Sequence, residues 1–283
     1  MTGLALPPLD IPALLRQHGL RPKKGLGQNF LGDTHALQEI VAAAELNPDD
    51  TVLEIGAGVG NLTRYLAIAS KLVTAIELDR NLFPILTTVL RPYQNVRLVQ
   101  GDILDFPPES LMADPGYLVV ANIPYYITSA VLRHLLEASL RPQRVVLTVQ
   151  KEVAERICAG PGKLSLLALS VQVYGVPNVV ALIPAGAFYP PPKVDSAVVR
   201  IDISPQAAIP APLLDMFFRL ARAGFSQKRK TLRNSLAAGL RLAPVEIETK
   251  LSAAGVDPKR RAETLDLPEW RRLAELFHSV DKP

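Results

Sequence analysis

The residues best suited to chemistry begin with a glycine-rich segment near position 55. Glu54 to Thr63 reads EIGAGVGNLT, with Gly56, Gly58 and a third glycine at position 60 directly after a β-branched run. Glycines allow backbone and ligand to approach closely where a strand turns into a helix. A dinucleotide fingerprint would place its third glycine at position 61, but this chain has Asn61, so the spacing favours S-adenosylmethionine. A turn that only packs a strand against a helix is the alternative.

Acidic residues end the next two apolar runs. Glu77 lies 21 positions after Gly56, where a carboxylate can accept both hydroxyl protons of a ribose. Asp79 is an alternative for that role and is equally typical of a helix N-cap. Asp102, beside Ile103 in QGDIL, is expected at the carboxyl edge of a sheet, where it could bond the exocyclic amine of the cofactor's adenine. A turn or capping role is its alternative.

The segment NIPYY, from Asn122 to Tyr126, carries the most specific signal. An exocyclic adenine amine is a poor nucleophile because its lone pair is delocalised into the ring. The side-chain carbonyl of Asn122 and the backbone carbonyl of Ile123 can accept its two N–H bonds and thereby aim the lone pair at a methyl donor. Pro124 stiffens the turn, and Tyr125 offers a ring on which an extruded base can stack. A strand-end turn without a function is the alternative.

A second aromatic residue, Phe188, opens the segment FYPPPKVDSAV. Its ring could close the opposite face of the same adenine and so complete a two-sided aromatic sandwich. The alternative is a hydrophobic anchor for an extended polyproline loop.

Basic residues cluster at two places that suit phosphate contacts. The first cluster precedes the glycine-rich turn, in a segment (21–29) whose two glycines predict a mobile loop, and the second lies within AGFSQKRKTLRNSL. A solvated helix face is the ordinary alternative for such a charge run. The predicted nucleic-acid contacts are Arg21, Lys23, Lys24, Arg222, Lys228, Arg229, Lys230 and Arg233.

Alternating strand and helix patterns must position these residues. Each of five β-branched runs precedes a helical pattern or a turn, which predicts an α/β fold with a Rossmann-like, mainly parallel sheet. The apolar stretch 164–183 is expected to supply core strands and a buried helix, and 197–203 one more strand. The five runs are 51–55, 72–78, 96–100, 117–122 and 144–150.

A proline-rich linker near residue 205 precedes a part of the chain whose apolar periodicity is purely helical. The sequence therefore predicts three parts: an N-terminal extension (1–20), a Rossmann-like domain (21–204) and a small all-helical C-terminal domain (205–283).

Composition narrows the classes of function. The 283 residues include one cysteine, Cys158, and four scattered histidines, so neither an internal disulfide nor a Cys/His metal site is expected. No apolar run suits a membrane span, and the first residues lack the basic start of a secretory signal, which predicts a cytoplasmic protein. A net charge of +4 indicates modest affinity for polyanions.

Together, these motifs resemble the KsgA/RsmA-type family of small-subunit ribosomal RNA adenine dimethyltransferases, over roughly residues 20 to 278. Several independent motifs occur in the family's order, and no single one decides the match. They are KKGLGQNFL (23–31), EIGAGVGNLT, AIELD (75–79), GDIL (101–104), NIPYY, FYPPPKVDSAV and RKTLRNSL (229–236).

The resemblance implies an S-adenosylmethionine-dependent enzyme that dimethylates two adjacent adenosines in the 3′-terminal hairpin loop of 16S rRNA. Its partner would be the immature small ribosomal subunit, late in assembly, and a monomer is expected. The resemblance also implies that Asn122, Tyr125 and Phe188 hold the target adenine. The implied cofactor contacts are Gln28, Asn29, Leu31, Gly56, Gly58, Glu77, Asp102, Ile103 and Asn122.

Two departures from the family pattern are visible. Ile123 stands where bacterial members often carry leucine, and no loss is expected because the backbone carbonyl makes the bond. Residues 1–20 match nothing in the pattern and are expected to be disordered or an added docking element.

Three other functions remain as hypotheses. The related 23S rRNA adenine methyltransferases of macrolide resistance share the cofactor motifs, but the C-terminal segments RKTLRNSL and RAETLDLPEW favour the 16S group. An assembly factor that binds an immature subunit, with methylation as its release step, is compatible with catalysis. A nicotinamide-dependent dehydrogenase is disfavoured by Asn61 and by the absence of a proton-relay His or Lys near the sheet edge.

Overall fold

A seven-stranded sheet is the central feature of the computed structural model, which describes residues 6–280. The strand order is β4-β3-β2-β5-β6-β9-β7, and a separate two-stranded sheet pairs β1 with β8. The strands are β1 Phe30–Leu31, β2 Thr51–Ile55, β3 Leu72–Glu77, β4 Val96–Gln100, β5 Leu118–Asn122, β6 Arg144–Gln150, β7 Gly175–Ile183, β8 Phe188–Tyr189 and β9 Ser196–Ile203.

Strands β2 to β6 run parallel, and β9 pairs antiparallel with β6. The middle strands are buried on both faces, which explains their continuous apolar runs. The carboxyl ends of neighbouring parallel strands meet at one edge of the sheet, so the turn after β2, Glu77 and Asn122 lie close together. This confirms the α/β, Rossmann-like prediction.

Helices cover the sheet and build the C-terminal part of the chain. Asp33 caps α2 by accepting a hydrogen bond from the Ala36 amide, as the sequence predicts. The helices are α1 Ile11–Gln17, α2 Thr34–Ala44, α3 Asn61–Ala69, α4 Phe83–Leu90, α5 Pro108–Leu111, α6 Thr128–Leu136, α7 Lys151–Ile157, α8 Leu166–Gln172, α9 Leu214–Phe225, α10 Leu232–Leu240, α11 Pro244–Ala253 and α12 Leu267–Val280. None of the helices within residues 6–280 is both long and apolar enough to cross a membrane.

The N-terminal extension differs from the prediction. Residues 1–5 lie outside the described part of the chain, but α1 packs into the main core through Ile11 and Leu15, each 2% exposed. The Arg64 guanidinium donates to the backbone carbonyl of Pro7 at 2.8 Å, which holds the segment before α1. The described extension is therefore an integral part of the sheet domain, because its apolar residues pack into the core of that domain.

Strand β7 also departs from the prediction of a core strand. It lies at the edge of the sheet, and Val176 and Leu182 are 59% and 58% exposed. Apolarity alone does not distinguish an edge strand from a buried one. Pro177, which has no N–H to donate, is tolerated at such an edge.

The chain forms two compact units, of which the first contains residues 1–154 and 177–203 and the second contains 155–176 and 204–283. The sequence predicted a single boundary near residue 205, so segment 155–176 was placed in the wrong domain. Helix α8 packs on α9, and the Ala208 amide donates to the Val173 carbonyl at 2.8 Å. The segment belongs to the helical unit because it covers the apolar face of α9.

Candidate active site

A cleft at the carboxyl edge of the sheet, within the first unit, collects most of the predicted site residues. It is bounded by the glycine-rich turn after β2, the end of β3, the NIPYY turn after β5 and the loop before β1. The predicted residues that line it are Gln28, Asn29, Leu31, Gly56, Gly58, Glu77, Asn122, Ile123, Pro124 and Tyr125.

Glu77 anchors the glycine-rich turn. Its carboxylate accepts hydrogen bonds from the Gly58 amide at 2.8 Å and the Asp79 amide at 2.7 Å. Burial raises the pKa of Glu77, and these two hydrogen bonds oppose that rise. Gly58 has φ +59°, and a Cβ there would lie 3.1 Å from the Phe30 ring, so both backbone conformation and packing require glycine.

Glu54, the second-to-last residue of β2, is a cleft residue that the sequence analysis did not single out. Its side chain lines the cleft and is 1% exposed. Burial raises the pKa of Glu54 to about 8, the nearby Thr63 hydroxyl opposes that rise, and the Glu77 charge adds a smaller contribution to it. Its Oε2 has no hydrogen-bond partner within residues 6–280. A polar atom left without a partner in a cleft points to a ligand or a proton there.

Asn122 is oriented by the loop before β1. Its Nδ2 donates to the backbone carbonyl of Asn29 at 3.3 Å. Because a carbonyl can only accept, this contact fixes which end of the amide is the nitrogen. The side-chain oxygen of Asn122 is thereby left as the acceptor available to a ligand in the cleft.

Tyr125 is held in place by strand β9. Its hydroxyl forms a hydrogen bond of 2.6 Å with the Ser196 hydroxyl, which is completely buried. Two motifs that are 71 positions apart, NIPYY and FYPPPKVDSAV, meet in this contact. The ring is therefore presented in one orientation, as a stacking surface requires.

The basic loop 21–29 is tied down rather than free. Asp79 accepts hydrogen bonds from the Lys23 ammonium at 2.7 Å and the Gln28 amide at 2.9 Å, and also caps the Asn81 amide. Burial works against ionisation of Asp79, but the hydrogen bonds from Lys23 and Gln28 outweigh it and keep its pKa below the ordinary value. Gly27 has φ +61°, and a Cβ there would lie 3.1 Å from Pro124, so the loop packs directly on the NIPYY turn.

Asn61, which replaces the third glycine of a dinucleotide motif, holds strand β1, which follows this loop. Its Nδ2 donates to the Leu31 carbonyl at 2.9 Å, in a fully buried hydrogen bond. Spacing alone identified Asn61 as a departure from one motif but gave no indication of this contact.

Asp102 and Ile103 lie in a cavity next to the cleft. That cavity is also lined by Gly56 and Pro124, which border the cleft itself, so the two spaces adjoin. Asp102 accepts a hydrogen bond from the Leu104 amide at 3.0 Å and so caps a short turn. Asp102 therefore caps this turn, and the other oxygen of its carboxylate takes no part in that bond.

Phe188 is not brought to the cleft. Antiparallel pairing of β8 with β1 places it opposite Leu31 and in the main core, where it is 5% exposed. It borders a different, shallow cavity together with Ile11 and Pro12. The structure therefore supports the hydrophobic-anchor alternative over the predicted aromatic sandwich.

Most of the predicted nucleic-acid contacts are exposed to solvent. Two of the eight form ion pairs with acidic residues of this chain. Lys23 is bound to Asp79, and Arg233 forms a salt bridge of 2.8 Å with Glu248. The exposed members without an ion-pair partner in the described residues are Arg21, Lys24, Arg222, Lys228, Arg229 and Lys230.

The cleft fits the donor S-adenosylmethionine. The glycine-rich turn allows close approach, Glu77 is placed for ribose hydroxyls, and the unpartnered Glu54 Oε2 can accept from a cationic group. Asp102 and Ile103 offer a polar and an apolar contact in the adjoining space.

Comparisons with known proteins agree with this arrangement. The family described as ribosomal RNA adenine dimethylase matches residues 19–279. A protein named ribosomal RNA small subunit methyltransferase A from Dehalococcoides mccartyi (strain CBDB1) is 50% identical over 262 residues, which cover 92% of this chain and 90% of the relative. The protein of that name from Moorella thermoacetica is 44% identical over 273 residues, covering 93% and 94%.

Two solved structures share the fold over most of the chain. The 23S rRNA methyltransferase ErmE superposes with a TM-score of 0.70 at 30% identity, covering 88% of this chain and 99% of that one. A dimethyladenosine transferase from Plasmodium falciparum gives 0.73 at 27% identity, covering 88% and 98%. The match over residues 19–279, together with the cleft geometry, shows that this chain belongs to the ribosomal RNA adenine dimethylase family, whose methyl donor is S-adenosylmethionine.

Proposed function

We propose that this protein dimethylates the N6 amines of two adjacent adenosines in the 3′-terminal hairpin loop of 16S rRNA, late in small-subunit assembly. The observation that carries the chemistry is the Asn122 amide, which is fixed by Asn29 so that its oxygen remains the available acceptor. The choice of the small subunit is supported by the names of relatives that match more than nine-tenths of the chain. We also propose that it acts as a cytoplasmic monomer.

The residues of the NIPYY turn position the target. The Asn122 and Ile123 carbonyls accept the two N–H bonds of the adenine amine, while the Tyr125 ring, held by Ser196, stacks on the extruded base. Stacking compensates in part for the contacts that the base loses on leaving its RNA stack.

Bound S-adenosylmethionine supplies a methyl group on a sulfonium that is already activated for displacement. The protein needs no strong general base, because the N6 proton becomes acidic once the new N–CH3 bond has formed and then leaves to solvent. Its contribution is to hold the amine in line with the donor and to keep water away from the reacting atoms.

The test is methyl transfer from tritiated S-adenosylmethionine to small subunits that lack the dimethylation, followed by nuclease mapping of the label. The wild-type protein should produce dimethyladenosine in the 16S hairpin. Asn122→Ala should lower the rate at least about a hundredfold, because a lost transition-state contact of this kind typically costs that much. Asn178→Ala, at an exposed position of the edge strand β7, serves as the control and should retain activity.

Two other functions are separated by the same assay. The structural likeness to a 23S rRNA methyltransferase favours testing large subunits in parallel, and label found only there would move this protein to that specificity. If Asn122→Ala is inactive but still restores subunit assembly in cells, binding rather than methylation is the main role. Label on neither particle would contradict the catalytic proposal.

A further inference from the structure

The second unit contains a cavity of about 460 Å³ that has no part in the cofactor cleft. All of its lining residues belong to segments 155–176 and 204–283, so it lies entirely within that unit. Ligand pockets typically measure about 300–1,000 Å³, so a single nucleotide-sized group fits this space.

Cations from three separate segments border the cavity. Arg156 comes from α7, Lys228 and Lys230 from the loop after α9, and Arg261 from the turn before α12. Within residues 6–280, Arg156, Lys228 and Lys230 have no ion-pair partner. Arg261 has only a loose one, at 3.9 Å from Glu263. Four cations facing one carboxylate favour an anionic ligand.

The floor of the cavity is apolar and includes an aromatic ring. Leu164 and Ala262 are buried there, and Phe225 is half-buried. The Phe225 ring stacks on the fully buried Trp270 with centroids 6.0 Å apart and planes at 26°. An aromatic surface fixed from behind by a second ring is preorganised for stacking a base.

The wall of the cavity is rigid because backbone hydrogen bonds hold it. The amides of Gly162 and Leu164 both donate to the Glu263 carbonyl, at 2.9 and 3.3 Å. Arg260, next to the cation Arg261, is locked by a salt bridge to Glu269. The site thus exists before any ligand binds.

We propose that this cavity binds one unpaired nucleotide of ribosomal RNA, with its base on Phe225 and its phosphate between the surrounding cations. This nucleotide is distinct from the adenosine that is methylated, and the inference rests on the proposed function. A nucleotide suits the site better than a purely acidic peptide, because acidic side chains alone leave the apolar aromatic floor unused. Arg156 and Arg261 line the cavity but lie outside the basic run 228–233. Substituting them therefore tests binding in the cavity separately from the general electrostatic attraction of RNA to that run.

The experiment measures binding of undimethylated small subunits at near-physiological salt, using the full chain. Arg156→Gln combined with Arg261→Gln should weaken binding about tenfold or more. The charge-matched control combines Lys71→Gln with Arg91→Gln, two exposed cations of the first unit, and should weaken binding less than about threefold. Circular dichroism confirms that both double variants are folded.

Ultraviolet crosslinking of the wild-type complex provides an independent readout that needs no variant. A single-nucleotide adduct is expected on the peptide that contains Phe225, at an RNA position other than the methylated adenosines. Equal weakening by both double variants, together with no adduct at Phe225, would overturn the pocket. Displacement of the subunit by polyglutamate but not by an oligoadenylate of equal charge would assign the cavity to an acidic peptide and overturn it as well.

Methyl transfer measured on the same samples separates this proposal from the proposed function. If the wild-type protein methylates small subunits but shows no adduct and no selective loss, only the nucleotide pocket fails. If it neither binds nor methylates them, the proposed function fails and the pocket with it.

Discussion

Two buried carboxyl groups that line the cleft, Glu54 and Glu77, differ in their hydrogen bonds. Glu77 accepts two backbone N–H groups, whereas Glu54 has an oxygen without a partner in the described residues. Burial raises the pKa of both, and that of Glu54 reaches about 8. In the free enzyme, Glu54 is therefore mainly protonated at neutral pH.

This protonation makes stability depend on pH. The pKa of Glu54 rises from an ordinary 4.5 to about 8 on folding, so proton binding favours the folded state. Its contribution is complete below about pH 4.5 and is lost as the pH rises through about 8. Glu54→Gln stays neutral, so its free energy of unfolding should fall less between pH 5 and pH 8.5 than that of the wild type, by on the order of a few kcal/mol.

Urea unfolding of the cofactor-free protein at the two pH values checks this expectation. Asp105→Asn, at an exposed acid of the same unit, is the control and should change with pH as the wild type does. Parallel curves for the wild type and Glu54→Gln would show that Glu54 is ionised in the folded protein.

For individual residues, the sequence identified those that lie in a motif with a recognisable chemical role. Glu77 and Asn122 lie in the cleft because each ends a strand at the same sheet edge, and Tyr125 lies there because it belongs to the turn that follows β5. Phe188 was misplaced because its motif does not reveal that β8 pairs with β1 and turns the ring into the core. The role of Glu54 depends on burial, which spacing does not encode.

Among the elements, the loop before β1 connects the cleft side that we propose binds the cofactor with the turn that we propose positions the target. Asp79 holds Lys23 and Gln28, and the adjoining Asn29 carbonyl orients Asn122. One carboxylate thus supports both halves of the site.

Asp79→Asn should therefore affect both steps. Losing the Lys23 ion pair and the acceptor for Gln28 frees the loop, so KM for S-adenosylmethionine should rise about tenfold and kcat should fall as well. Steady-state kinetics on small subunits provide both numbers, with Asp105→Asn as the control. A variant with unchanged kcat and KM would mean that the loop keeps its position without Asp79.

The first helix supplies a test of the N-terminal extension. Leu15 is 2% exposed in the main core, so Leu15→Ala should lower the free energy of unfolding by about 2–5 kcal/mol. Leu14→Ala, at the half-buried neighbouring position, should cost less than half as much. Denaturant midpoints measure both, and equal small losses would mean that α1 contributes little to the core.

Strand positions were predictable because parallel core strands are short β-branched runs followed by turns. The sequence range 51–55 and the observed β2 coincide, and β4 and β6 also match. The exposure of β7 and the partner of α8 depend on contacts distant along the chain, so local periodicity did not reveal them.

At the scale of the whole molecule, the second unit is built from two separate segments of the chain. This limits where the chain can be cut into fragments that fold independently. Leu169 and Val171 of α8 are completely buried, although they precede the rest of that unit by more than thirty residues. A fragment of residues 204–283 lacks them and should unfold without a cooperative transition. Urea titration followed by circular dichroism checks this, and adding a peptide of residues 155–176 should restore cooperativity. A sharp transition in the fragment alone would show that α8 is dispensable.

Trp270, behind Phe225, is the chain's single tryptophan and is completely shielded from solvent. Selective excitation of indole emission therefore reports on the second unit without any attached dye. A base that reaches Phe225 should quench or shift that emission, because the two rings are in contact. Occupancy of the cavity in the second unit can thus be followed in real time in an unlabelled sample.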